Sequence, residues 1–376
     1  MAVAHAFRAA HPEADLLMVG RVGGLEERLV PPAGFDLETV RIRGFNRDAP
    51  LKNLALPVVL PRAIAHGVGI VDRFRPDVVM GVGGYVMAPA IAGARLRGVP
   101  YVLQVSEAGG LANRLFRGGA AAACVTFPGD VETFRTPHTV LTGYPLRQGF
   151  ARRRPEVPPR RLLVIGGSQG ARRINQTIWA ALDDLLEGFE EVVHLTGAQG
   201  EREAAAHARP GYRPIAFTTE MPRQLAEADL VLCRAGVGAC AELTAVGLPA
   251  IVVPGTFGGG HQEHNAAQLV DGGAAVRIGD AQLTPASLLG VLRSLTPERL
   301  TAMAEASAAL GRPDAADRIV RVLEGVATGS PSPPEGEGRG GGETSHSRLH
   351  RMVPARAHPP PQPSPARGEG ERGETR

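Results

Sequence analysis

The feature that most constrains this chain is a regular exchange of short apolar runs with helical patterns. ADLLMVG (14–20), PDVVMGV (76–82) and PYVLQV (100–105) have strand length, and each ends at a turn or loop. Helical patterns lie between them; one places Ile64, Val68, Val71 and Phe74 on a single face. After Arg161 the exchange starts again. LLVI (162–165) leads into a helix with Ile174, Ile178, Leu182 and Leu185 on one stripe, and EVVHL, DLVLC and PAIVV follow as strands. Such alternation calls for parallel sheets with helices on both faces, an α/β fold, and the restart divides it into two units. Between them QGFARRRPEVPPRR (148–161) carries prolines and paired arginines without an apolar period, the character of a linker. The expected organisation is a first domain over 1–147, a linker over 148–160 and a second domain over 161–327.

Composition limits the rest. The chain is 43% hydrophobic but only 4% aromatic, so its cores are aliphatic. Lys52 is the only lysine among 41 basic residues, a bias that GC-rich coding explains without a function for the arginines. A formal charge of +3 permits attraction to phosphate or anionic lipid without requiring it. The basic residues neither cluster nor alternate with aromatics, which argues against nucleic acid as a partner. Cys124, Cys233 and Cys240 form no C-x-x-C pair, so neither a zinc site nor a disulfide framework is expected. The uncharged stretch from Val78 to Ala94 is broken by glycines and Pro89 and reads as strand, turn and helix start rather than a membrane span. From 328 to 376 two imperfect Pro/Gly/charge-rich copies, SPSPPEGEGRGG and PQPSPARGEGERGE, lack the apolar content to offset ordering entropy, and a disordered tail is expected.

The candidate chemistry sits in three loops of the second unit. GGSQGARR (166–173) leaves a strand and opens a helix; it is neither a Walker loop nor G-x-G-x-x-G. Its glycines serve either a phosphate cradle or a plain chain reversal, although backbone N–H groups at a helix start do attract anions. CRAGVGACAELTAVGLPA (233–250) follows a second strand. Its small residues, Gly238 and Ala239 among them, let a ligand approach the backbone, and Glu242 supplies a carboxylate suited to ribose hydroxyls or simply to solvent. GGGHQEHNAAQL (258–269) follows a third, with His261 and Gln262 at a helix start and Asn265 one turn on. In open parallel sheets ligands bind outside the carboxyl ends of the strands, so these loops together suit a nucleotide diphosphate.

In this order and spacing GGSQGARRINQ, CRAG…AEL…GLPA and HQ-x-x-NA resemble the UDP-sugar half of the MurG family of glycosyltransferases. RGF (43–45), PDVVMGVGGYVMAP (76–89) and GYPLR (143–147) extend the resemblance to roughly residues 2–327. It implies a GT-B fold, two Rossmann-like domains facing across a cleft. It also implies inverting transfer of GlcNAc from UDP-GlcNAc to an undecaprenyl-diphosphate-linked muramyl-pentapeptide (lipid I), giving lipid II for peptidoglycan. The enzyme would be peripheral on the cytoplasmic face of the bacterial inner membrane, with no metal and no cofactor beyond the donor substrate. By the same resemblance Gly167, Ser168 and Gln169 would hold the donor diphosphate, with Arg147 beside it. Glu242 would bind the ribose, Gly238 and Ala239 would line the approach, and Phe217, Thr218 and Met221 would border the uracil. His261 and Gln262 would contact the sugar, and Gly83, Gly84 and Tyr85 would face the acceptor.

Two departures concern catalysis. The family opens with a strand and a glycine-rich loop ending in histidine, whereas this sequence starts at MAVAHAF, already inside the helix that follows. The expectation is a true start upstream; without that strand a doubly wound sheet has unpaired edges in its middle. Where the family has His-Glu-Gln-Asn, this chain reads Gln104, Val105, Ser106, Glu107. No catalytic residue is therefore assigned, Glu107 being the one candidate general base. Another glycolipid acceptor, or a non-catalytic UDP-sugar-binding role, stays open at this point.

Overall fold

The computed structural model describes residues 1–44, 54, 56–106, 110–134, 136, 138–167, 170–256 and 260–329. Twelve strands are present in these segments, and every pairing within a sheet is parallel. The first half contributes β1 (Leu17–Arg21), β2 (Asp36–Val40), β3 (Val79–Gly81), β4 (Tyr101–Val105), β5 (Ala122–Val125) and β6 (Thr139–Leu141). The second contributes β7 (Arg161–Ile165), β8 (Glu191–Leu195), β9 (Tyr212–Ile215), β10 (Leu230–Cys233), β11 (Ala250–Val252) and β12 (Ala275–Arg277). The fold is α/β, two Rossmann-like domains in the GT-B manner.

The second sheet runs β12-β11-β10-β7-β8-β9. Its order reverses between β7 and β10, the topological switch point at which doubly wound sheets open a crevice. Strand periodicity builds its two cores. Leu162 and Val164 face a layer with Ile174, Ile178, Leu182 and Leu185, while Leu163 and Ile165 face another with Val231, Cys233, Leu243 and Leu269. The expected stripe of four is buried to 1% exposure or less, although it is shared between two helices, Arg172–Ala180 and Leu182–Gly188.

The first half is divided. β1 pairs with β2, and β3-β4-β5-β6 forms a separate sheet; among the described residues no pairing joins β1 to β3. The Leu56–Phe74 helix bridges the two, since Ile70 and Ala63 pack with Val40 and Ile42 while Gly67 meets the Ala88–Arg97 helix. Its buried face differs from the expected one. Ala63, Gly67, Ile70 and Val71 are buried, and Phe74 is 37% exposed. Small residues made the difference: a Cβ on Gly67 would lie 2.1 Å from the Pro89 carbonyl oxygen, and one on Gly93 would lie 2.7 Å from that of Gly67. The helices touch through the positions that a count of bulky residues passes over.

The two halves are firmly joined. The segment expected as a linker is pinned by buried Asp229, which accepts from the backbone N–H groups of Glu156 (2.9 Å), Arg160 (3.1 Å) and Arg161 (3.0 Å) and from the Arg153 guanidinium. The last described helix, Ala315–Thr328, returns to the first half, where Ile319, Val320, Val322 and Leu323 pack with Val102, Ala122, Cys124 and Val3. The tail from 330 onward lies outside the described residues. No described helix is long and apolar enough to cross a membrane.

Candidate functional site: the switch point of the second sheet

The three loops expected to cooperate leave the carboxyl ends of β7, β10 and β11, adjacent strands, and so meet at one sheet edge. After β7 the turn is tight because glycine permits it. Gly167 and Gly170 have φ of +87° and +80°, and Gly170 N–H donates to the Gly167 carbonyl at 2.9 Å. A Cβ on Gly170 would lie 2.2 Å from the Thr196 carbonyl oxygen. The chain then enters the Arg172–Ala180 helix, whose first-turn N–H groups point back toward the turn. Ser168 and Gln169 lie outside the described residues.

A buried polar network fixes that turn from beneath. Asn175 donates Nδ2–H to the Thr196 carbonyl (2.9 Å), which leaves its Oδ1 to accept from His194 Nε2 (3.1 Å). His194 Nδ1 then accepts from the Tyr212 hydroxyl (3.0 Å), and that oxygen accepts from Trp179 Nε1–H (2.8 Å). Burial pushes the His194 pKa down to about 3, so the imidazole is neutral, as this tautomer requires.

The loop after β10 reaches the Val237–Val246 helix, which carries Gly238, Ala239 and Glu242. Open space surrounds the Cβ positions of Gly236 and Gly238, so the backbone here is free to receive a ligand. Gly247, at φ +88°, ends the helix in the left-handed conformation expected of a glycine stop. Glu242 is half-buried. Desolvation pushes its carboxyl up to about 7 even though the Arg147 guanidinium pulls the other way. That opposing pull brings together two residues far apart in the chain, one before the linker and one in the second domain.

The third loop is built on the His261–Asp271 helix. Gln262 Oε1 accepts from Gly255 N–H at 2.7 Å, and buried Asn265 donates to the Ala235 carbonyl at 3.0 Å, tying this helix to the two loops beside it. His261 opens the helix behind Gly260 at φ +86°. Phe217, just beyond the edge strand β9, is 68% exposed, and Thr218 Oγ1 accepts from Glu220 N–H at 2.9 Å. Met221 starts the following helix and packs on the second-domain core.

Sequence reasoning gave no role to Arg234, although it quoted CRAG. Its Nη1 donates to Asp280 Oδ1 (2.6 Å) and to the Val253 carbonyl (3.1 Å), and Arg173 Nε stands 3.4 Å from Asp280 Oδ2. The cluster braces the ends of β10 and β11 against the helix that follows the β7 turn. The sequence signal was an arginine directly after a buried strand.

In the first domain Gly83 and Gly84, at φ +92° and +70°, lead into half-exposed Tyr85, and Gly44 of the RGF motif abuts that ring. The RGF and PDVVMGVGGYVMAP motifs are therefore neighbours in space. Glu107 lies outside the described residues.

Comparison with known proteins follows the same line. The glycosyltransferase family 28 N-terminal domain matches residues 1–116, and the family 28 C-terminal domain matches residues 161–319. The chain belongs to glycosyltransferase family 28. Relatives of this family 28 protein include the UDP-N-acetylglucosamine--N-acetylmuramyl-(pentapeptide) pyrophosphoryl-undecaprenol N-acetylglucosamine transferases of Desulforudis audaxviator and of a Nocardioides species. They are 37% identical over 355 and 350 residues, covering 87% and 88% of this chain and 94% of each relative. Among solved structures, Acinetobacter baumannii MurG superposes with a TM-score of 0.71 at 25% identity, covering 86% of this family 28 chain and 94% of that protein. The calicheamicin glycosyltransferase CalG4, at 16% identity and a TM-score of 0.63, shares the fold. The family resemblance stated from the motifs thus stands.

Proposed function

We propose that this family 28 protein transfers GlcNAc from UDP-GlcNAc to lipid I, forming the β-linked disaccharide of lipid II with inversion. The observation that carries the reading is the convergence of the β7, β10 and β11 loops at the switch point, with half-buried Glu242 on the helix that the β10 loop opens. Residues 161–327 take the donor, residues 1–147 the acceptor, and 148–160 connect them. The amides of the β7 turn, with Gly167, Ser168 and Gln169, receive the diphosphate. Glu242 accepts the ribose hydroxyls; Gly238 and Ala239 line their approach; Phe217, Thr218 and Met221 border the uracil; His261 and Gln262 meet the sugar. An acceptor hydroxyl on the side of Gly83, Gly84 and Tyr85 attacks the anomeric carbon as the bond to UDP breaks on the opposite face. Arg147 and the turn amides stabilise the negative charge that develops on the leaving diphosphate. The hydroxyl proton needs a base, and Glu107 is the carboxylate proposed for it.

The same reading places the enzyme on the cytoplasmic face of the inner membrane. Leu54 (76% exposed), Val58 and Leu60 stand out of the first domain near exposed Arg62, and Leu111 and Leu115 flank Arg114. Exposed aliphatics beside arginine suit an anionic lipid surface. Release of UDP from UDP-GlcNAc, with and without a soluble lipid I analogue, tests the chemistry; release that needs the analogue is expected. Co-sedimentation with phosphatidylglycerol vesicles but not with phosphatidylcholine vesicles tests the placement.

One observation favours a second reading, the same donor chemistry on another glycolipid. Gln104, in the segment that departs from the family, is buried, and among the described residues its Nε2 has no hydrogen-bond partner. Turnover of an alternative glycolipid in preference to the lipid I analogue would select it.

A further inference from the structure

The sugar-facing helix of the second domain is held by the first domain. The turn that follows β5 presents Phe127, Gly129 and Asp130 to the His261–Asp271 helix. Phe127, 1% exposed, belongs to the second domain's apolar cluster, together with Ala266 and Leu269 of that helix. Gly129 N–H donates to Gln268 Oε1 at 3.0 Å, and a Cβ on Gly129 would sit 2.4 Å from Gln268 Nε2. Asp130 is buried, and its carboxylate is divided between two tasks. One oxygen accepts from Phe127 N–H at 2.9 Å, closing its own helix start, and the other takes His264 Nε2 at 2.6 Å. Glu263 is engaged elsewhere, in a two-bond fork with Arg277 at 2.8 and 2.9 Å. His264 lies between Gln262, proposed to meet the donor sugar, and Asn265, which ties the helix to the β10 loop.

We propose that His264 is a positioning residue. Through Asp130 it fixes the helix bearing His261 and Gln262 to the first domain, so that the donor sugar and the acceptor side are registered by one bracket. The inference rests on the donor assignment made above. It has a specific consequence: the uridine half of the donor is held without the bracket, whereas placement of the sugar depends on it. Filling the sugar site should also steady the turn at residues 127–130.

The test uses the full chain and three proteins: wild type, His264→Phe, which keeps an aromatic ring but removes the hydrogen bond, and His264→Gln, which restores an N–H donor. Calorimetry with UDP and with UDP-GlcNAc is paired with hydrogen exchange of the Pro128–Thr133 segment. Expected for His264→Phe are a UDP affinity within about twofold of wild type and UDP-GlcNAc binding and transfer weakened about tenfold. UDP-GlcNAc should slow exchange at residues 128–133 in wild type and in His264→Gln but not in His264→Phe. Equal UDP-GlcNAc affinity in wild type and His264→Phe would overturn the proposal. So would equal losses for UDP and UDP-GlcNAc, or the same exchange response in both. A wild type that binds neither nucleotide would instead refute the donor assignment itself, an outcome distinct from these.

Discussion

Glu242 shows fold and function pulling one side chain in opposite directions. Its pKa, raised to about 7 from an ordinary 4.5, makes the carboxyl a stabilising group only while it is protonated. That contribution is complete below the unfolded value, 4.5, and is lost as pH rises through about 7. The ribose recognition proposed for it needs the opposite form, a charged acceptor. UDP binding followed by calorimetry is expected to tighten several-fold from pH 6 to pH 8, and Glu242→Gln should flatten that dependence while raising the melting temperature at pH 8. Asp229 makes the contrasting case, a buried carboxylate whose acceptor capacity is filled by three backbone N–H groups and a guanidinium. Asp229→Ala orphans those donors and is expected to cost about 3 kcal/mol, read as a drop in the urea midpoint. From sequence both were single acidic residues in plausible places. What separates them is the company that tertiary structure brings: Arg147 for one, the linker backbone for the other.

At the level of elements, legibility followed the length of the apolar run. β4, β7, β8 and β10 were visible because each buries consecutive aliphatics on both faces. β2, reading DLETV, is half-exposed and lacked that signal, and β6 (TVL) and β12 (AVR) lack the longer apolar runs that made the equally short β3 and β11 visible. The loops after β7, β10 and β11 were legible as neighbours because a parallel sheet delivers them to one edge by topology alone. The face of the Leu56–Phe74 helix was misread because its closest contact runs through Gly67 and Gly93, residues that carry no hydropathy signal. The contact between Asp130 and His264 was invisible for another reason: the pair is 134 positions apart, His264 falls at an unspecified position of HQ-x-x-NA, and Asp130 lies in none of the quoted motifs. Helix contact through glycine makes a sharp prediction. Gly67→Ala forces a Cβ onto the Pro89 carbonyl and should destabilise by about 1–3 kcal/mol in chemical denaturation. Gly69→Ala, two positions along, meets only the tip of the Arg73 side chain and should be tolerated.

Across the whole molecule, stability is tied to one buried imidazole. The His194 pKa falls from 6.5 in the unfolded chain to about 3 in the folded one. Its share of stability is therefore present above pH 6.5 and is lost as pH falls toward 3, at about 1.4 kcal/mol per unit. Urea titrations at pH 6.5, 5.5 and 4.5 are expected to show that decline, and His194→Phe should reduce its slope at the cost of a lower midpoint at pH 7. Because the network reaches Asn175 and Thr196, the same protonation should loosen the β7 turn, so UDP affinity and global stability are expected to fail together in acid.

The division of the first half into two sheets carries a consequence of another kind. Between β1 and β3, two strands of one orientation class each pair on one side only among the described residues. A strand with a free side offers its remaining N–H and carbonyl groups to any extended peptide that comes within reach, another copy of the chain included. The second domain, whose switch-point strands β7 and β10 are paired on both sides, offers no comparable invitation at its centre. An extended peptide supplied in trans is therefore expected to slow amide exchange at residues 17–21 and 79–81 while leaving exchange in β7 and β10 unchanged.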